Sequence, residues 1–150
     1  MKDLLLVKQF FLVLAGFGMV FQIHSEGVTE MDSRTTVGLH LGSFHSATGY
    51  NDFNPGIYVE LPNHITAGHY YNSNYRDSTY LGYTYSYNSQ IDVTVGLTTG
   101  YQIYKYTPLL VPSYKFLNVV EDFNLRVAFI PRFFGVVQAN VLHAMVEKSF

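Results

Sequence analysis

The sequence predicts an all-β fold: an eight-stranded antiparallel up-and-down transmembrane β-barrel preceded by a signal peptide. Three observations carry this expectation. Beyond about residue 35, apolar residues alternate with small polar ones at a period of two, and no stretch keeps the i, i+3, i+4, i+7 spacing of an amphipathic helix. The polar alternates are mostly Gly, Thr, Ser and Tyr, and charged residues make up 13% of the 150, about half the ~25% of soluble chains. A soluble sandwich would wet one sheet face with charge. Finally, tight and longer links alternate along the chain, the asymmetry of an outer-membrane barrel.

Residues 1–25 read as the export signal. Lys2 and Lys8 flank an apolar start, and the run from Phe10 to Phe21 falls short of the ~20 residues of a spanning helix but suits the h-region of a secretory leader. Ile23-His24-Ser25 and Ser25-Glu26-Gly27 both offer an exit, and cleavage after Ser25 leaves 26–150 as the barrel domain.

Eight strands follow, near 35–45, 56–61, 64–72, 78–88, 91–101, 109–118, 124–131 and 140–150. In the first, Val37, Leu39 and Leu41 oppose Gly38, His40 and Gly42, and in the second Ile57, Val59 and Leu61 oppose Gly56, Tyr58 and Glu60. Leu81, Tyr83 and Tyr85 alternate with Tyr80, Gly82 and Thr84 in the fourth, and Ile91, Val93, Val95 and Leu97 with Asp92, Thr94, Gly96 and Thr98 in the fifth. In the last, Leu142, Ala144 and Val146 share a face with Phe150, Lys148 being the exception. Pro62-Asn63, Asn88-Ser89 and Glu121-Asp122 centre the tight links. Longer links follow strands one, five and seven, and a polar tip, Ser73 to Arg76, follows strand three. An even strand number places both termini on the periplasmic side.

Glu60, Asp92, Lys115 and Arg126 fall on inward positions, so acids and bases can pair in the lumen; which pairs with which is open. Tyrosines are expected in the interfacial girdles. Pro112 and Pro131 withdraw ladder donors, marking either strand ends or a lateral opening for a lipid chain. A monomer is expected, with no pore, since eight strands leave an interior filled by side chains.

Composition excludes several classes. No basic patch accompanies the net charge of -2, so no nucleic-acid partner is expected. The absence of cysteine removes disulfides, thiolate ligands and thiol nucleophiles. No carboxylate cluster or His-Glu spacing suggests a metal, and no cofactor is expected.

The order of motifs over residues 38–150 resembles the lipid A palmitoyltransferase family of the Gram-negative outer membrane. The likeness rests on His40 in strand one, Tyr50-Asn51, a glycine-bearing second strand and a small-polar pair ending strand three. It continues with Gly82-Tyr83, Leu97-Thr98-Thr99-Gly100, Pro108-Leu109 with Pro112, Phe129-Ile130-Pro131 and the apolar last strand ending in Phe150. The resemblance implies transfer of an acyl chain from phospholipid to lipid A of lipopolysaccharide in the cell outer membrane. It also implies a catalytic histidine beside an Asp-Ser pair after strand three. His40 matches the histidine. Position gives the pair as Asn72-Ser73, and the letters give Asp77-Ser78. Asn72 could orient a partner by hydrogen bonding but could not act as a base. The family's amphipathic helix before the barrel has no counterpart.

The residues themselves allow the same chemistry. A histidine beside a hydroxyl at the outer rim makes a workable acyl-transfer pair, and His45 with Ser43 and Ser46 is a second candidate on strand one. His64 and His69 read as interfacial. The competing expectations are a hydrolase using the same residues with water as acceptor, and a non-enzymatic barrel that alters the cell surface or binds a partner through Tyr- and Asn-rich loops.

Overall fold

In the computed structural model, residues 34–102, 104–132 and 138–150 are described, so the signal-peptide expectation for 1–25 lies outside them. Eight strands close into one antiparallel barrel in the order β1 to β8: β1 Thr36–His45, β2 Phe53–Glu60, β3 Ile65–Tyr71, β4 Asp77–Ser86, β5 Ile91–Thr98, β6 Thr107–Val120, β7 Phe123–Ile130 and β8 Val141–Ser149. β1 pairs with β8 from Thr36↔Ser149 to His45↔Val141, which seals the sheet. All eight expected strands are present. The links β2–β3, β4–β5 and β6–β7 are two to four residues long and lie on one rim. The links β1–β2, β3–β4, β5–β6 and β7–β8 are longer and lie on the other. Glu121 takes φ 49° in the two-residue turn between β6 and β7.

The wall is apolar outside. Leu39, Phe44, Phe53, Ile57, Leu81, Phe129 and Leu142 all project from it. Such a band suits contact with hydrocarbon, where an arginine or lysine costs ~2–4 kcal/mol at mid-depth. Lys148, the exception on β8, reaches Asp122 in the short-link rim at 3.2 Å, where a long side chain can keep its charge in water.

The lumen is filled. Tyr58, Tyr80, Ala128 and Met145 form its buried core, with Tyr70, Leu109 and Val111 packed against them. Any side chain on Gly38 would overlap the Tyr58 ring, and one on Gly68 would overlap the Tyr80 ring. These glycines exist to admit the tyrosines. The girdle expectation is therefore corrected in part: Tyr75, Tyr83, Tyr85, Tyr87, Tyr106 and Tyr114 are exposed, whereas Tyr58, Tyr70 and Tyr80 turn inward because a facing glycine leaves room for each ring or its neighbours.

Toward the short-link rim the inward charges meet. Arg126 lies 2.6 Å from Glu147, 3.1 Å from Asp92 and 3.4 Å from Glu60, and Lys115 lies 3.1 Å from Asp92. Tyr58 donates its hydroxyl to Glu147. Buried charge is tolerable only when paired and hydrogen-bonded in this way. Glu147, unremarked in the sequence, is the carboxylate most directly bound to Arg126. Next to this network, Thr66, Thr84 and Thr94 link hydroxyls across three strands at 2.7 and 2.9 Å.

Two irregularities shape the long-loop half. Leu41 is skipped by both neighbouring ladders: His40↔Met145 is followed by Gly42↔Ala144, and His40↔Gly56 by Gly42↔Phe53. This bulge advances the inward phase of β1 by one residue. Ser43 and His45 turn inward after it and Phe44 outward, which corrects the expectation that Gly42 faces the lumen; Gly42 lies on the wall side. β2 also begins at Phe53 rather than 56, because Pro55 falls in the irregular stretch where its missing N–H breaks no ladder bond. The second irregularity lies between β6 and β7. Their regular pairing runs from Phe116↔Leu125 to Ser113↔Ala128 and stops there among the described residues. Among the described residues, Thr107 to Pro112 pair with β5 alone, just where Pro112 and Pro131 withhold donors.

Candidate active site

The long-loop rim gathers groups from two loops, β1–β2 and β3–β4, around His45. This residue ends β1, and the bulge turns its ring inward, leaving the side chain 2% exposed. Its Nδ1 lies 2.7 Å from Asp52 Oδ1, and its Nε2 lies 2.7 Å from Ser73 Oγ. An ionised carboxylate can only accept, so Nδ1 carries the proton and donates it to Asp52. Nε2 is then the acceptor for the Ser73 hydroxyl. Tyr50 stacks on the imidazole at 4.9 Å and 17°, fixing its plane.

The backbone holds these parts in place. Ser43 N–H donates to Asp52 O at 2.8 Å, pinning the end of the β1–β2 loop against the bulge. Asn51 N–H donates to Ser73 O at 2.9 Å, tying that loop to the β3–β4 loop. Ser73 follows β3 rather than ending it. The arrangement is a hydroxyl, an imidazole and a carboxylate in series, the order that activates an oxygen nucleophile.

The other candidate residues lie elsewhere. His40 is buried mid-barrel, with Nδ1 2.8 Å from His143 Nε2 and Nε2 3.2 Å from the Tyr80 hydroxyl; neither Ser73 nor Ser78 bonds to it. Asn72 organises the β3–β4 loop: its Oδ1 accepts from Asn74 and Arg76 N–H at 2.8 and 3.1 Å. Its Nδ2 donates to Ser78 Oγ and Gly100 O at 2.8 and 3.0 Å. Ser78, fully buried, donates to Thr99 O at 2.6 Å. Asp77 points out of the barrel, 3.5 Å from His69. The structure thus joins Ser73 to His45 and supplies Asp52, which sequence reasoning missed. The signal available was that Asp52 is the sole acid in the β1–β2 loop. Among the described residues no group of three or more His, Cys, Asp or Glu side chains converges as a metal site.

No protein-family model matches the chain, nor does any curated protein. Among solved structures, the solution NMR structure of TMB2.3, a de novo designed protein, is similar at a TM-score of 0.51 and 13% identity. The match covers 78% of this chain and 95% of the designed one. At that identity the likeness speaks for the closed eight-stranded barrel alone.

Proposed function

We propose that the protein is an outer-membrane acyltransferase in which Ser73, His45 and Asp52 move an acyl chain from a phospholipid to lipid A. The observation that carries this reading is the pair of 2.7 Å contacts that place His45 between Ser73 and Asp52. The resemblance in motif order supports the lipid substrates, and the apolar wall supports a membrane address. A cleaved signal and a monomeric barrel complete the proposal.

The chemistry follows from the geometry. Ser73 Oγ attacks the ester carbonyl as its proton passes to His45 Nε2, general-base help worth ~10²–10⁴-fold. Asp52 steadies the imidazolium through Nδ1. The ester C–O bond breaks, and the leaving lysophospholipid oxygen takes the proton from Nε2. A hydroxyl of lipid A then attacks acyl-Ser73 by the same route in reverse, releasing the acylated product and the free serine. Donor chains are available in the outer leaflet, and the flank of β6 around Pro112, beyond the last β6–β7 pair among the described residues, offers a route through the wall near this rim. The Asn72–Ser78 contact supports the β3–β4 loop in this reading.

Mass spectra of lipid A from cells with and without the protein test the proposal. An added acyl mass that disappears with Ser73→Ala is expected. A lost acyl mass instead selects the hydrolase, with water as acceptor. Identical spectra select the surface-barrel reading, which the exposed Tyr75 at the tip of the β3–β4 loop favours.

A further inference from the structure

Gly42 stands directly after the β1 bulge, paired with Ala144 on one side and Phe53 on the other. Backbone conformation does not call for glycine there, because the left-handed glycines among the described residues are Gly49 and Gly100. Space does. A Cβ at position 42 would lie 2.7 Å from the backbone oxygen of Asp52, closer than two such atoms can stand. The same oxygen accepts the Ser43 N–H at 2.8 Å. The missing side chain therefore lets the end of the β1–β2 loop settle against β1, at the residue whose carboxylate binds His45.

The carboxylate depends on that backbone seat. The Asp52 side chain is 69% exposed, so packing does little to hold it. Its 2.7 Å contact with His45 Nδ1 follows from where the Asp52 backbone is placed. The other two members are fixed separately. His45 pairs with Val141 on β8 and its ring is buried, while Ser73 O accepts the Asn51 N–H at 2.9 Å. A methyl group at position 42 would meet backbone, which cannot swing aside as a side-chain tip does, so the loop would retreat. That retreat falls on the Asp52–His45 contact, and N–H···O bonding fades beyond ~3.2 Å.

We infer that Gly42 is a positioning residue for the Ser73–His45–Asp52 reaction: its bare backbone seats Asp52, and Asp52 in that seat keeps the His45 proton on Nδ1. The inference rests on the acyl-transfer reading for its effect on rate, and on geometry alone for its effect on the imidazole. Once the carboxylate withdraws, the proton is free to move to Nε2, and that tautomer turns a donor toward Ser73. In that form the ring cannot take the hydroxyl proton. The Asp52 contact gains most as the imidazolium forms, so its loss lowers kcat and leaves KM unchanged.

The test uses the refolded full-length barrel, with heat-modifiable electrophoretic mobility reporting the folding of each variant. Nitrogen–proton NMR spectra of histidine-labelled protein in detergent micelles read the tautomer, and a His45→Gln spectrum assigns the His45 signal among the six histidines. Wild-type His45 should be protonated on Nδ1. Gly42→Ala should give the Nε2-protonated form or a mixture of the two. It should also lower kcat for transfer from a radiolabelled phospholipid by ~10-fold or more, with KM unchanged. Adding Asp52→Glu to Gly42→Ala lengthens the side chain by one methylene and should return both readouts toward wild type, a recovery that general loosening of the barrel would not give. If the wild type transfers no acyl chain, the acyl-transfer reading fails, and the tautomer still decides the role of Gly42. Three results would overturn the inference: Nδ1-protonated His45 in a folded Gly42→Ala barrel, a Gly42→Ala chain that does not fold, or a loss that Asp52→Glu leaves unrepaired.

Discussion

At the scale of single residues, one carboxylate decides how the rim histidine works. Asp52 fixes the proton of His45 on Nδ1, which leaves Nε2 facing Ser73. Ser73→Ala and His45→Ala should each lower acyl transfer by ~10²-fold or more, and Asp52→Asn by less, with folded mobility retained; transfer rates from a radiolabelled phospholipid check this, and an unimpaired His45→Ala barrel would refute it. The charge network makes a separate prediction. Arg126→Ala strips the shared cation from Glu147, Asp92 and Glu60, a loss on the order of 3–5 kcal/mol for a broken buried pair, measurable as a lowered urea midpoint in vesicles. Ser73 was legible in the sequence by position and His45 as a neighbouring alternative. Asp52 and Glu147 were not, because each acquires its partner only when distant strands close.

At the scale of elements, the bulge at Leu41 determines which histidine reaches the rim chemistry. Strict alternation along β1 would carry the phase of His40 to Gly42 and Phe44 and turn His45 toward lipid. The extra residue reverses that. Deleting Leu41 would remove the extra residue and join His40↔Met145 directly to Gly42↔Ala144 in one continuous ladder, so His45 should stay inward and transfer should persist; loss of transfer from a barrel that keeps its folded mobility would show that the kink of the bulge itself is needed. The sequence did hold a trace of the slip in Pro55, a residue without an N–H inside an otherwise regular strand. The strand pairing itself was far more legible, since alternation and the turn residues at 62–63, 88–89 and 121–122 act locally. The β6–β7 flank offers another test. A Val111→Cys/Ile130→Cys pair stands where the next rungs of that ladder would fall, and a crosslink there should slow transfer until it is reduced, as read by acyl-transfer rate before and after a thiol reductant.

At the scale of the whole molecule, the barrel is inverted relative to a soluble protein: charges and hydroxyls inside, aliphatic and aromatic side chains outside. Leu81, 62% exposed at the middle of β4, is a direct probe of that inversion. Leu81→Arg should cost ~2–4 kcal/mol of stability in vesicles, whereas a wall that faced water would accept the change within about 0.5 kcal/mol. The proposed acyl transfer requires the Ser73 rim to stand beside a phospholipid's ester bonds. The purified barrel, reconstituted with lipid A and a phospholipid bearing an isotopically labelled acyl chain, tests that juxtaposition most directly. Wild-type protein should shift lipid A by the mass of the labelled chain while Ser73→Ala leaves it unshifted; an unshifted lipid A with folded wild-type barrel, or an equal shift with Ser73→Ala, would contradict it.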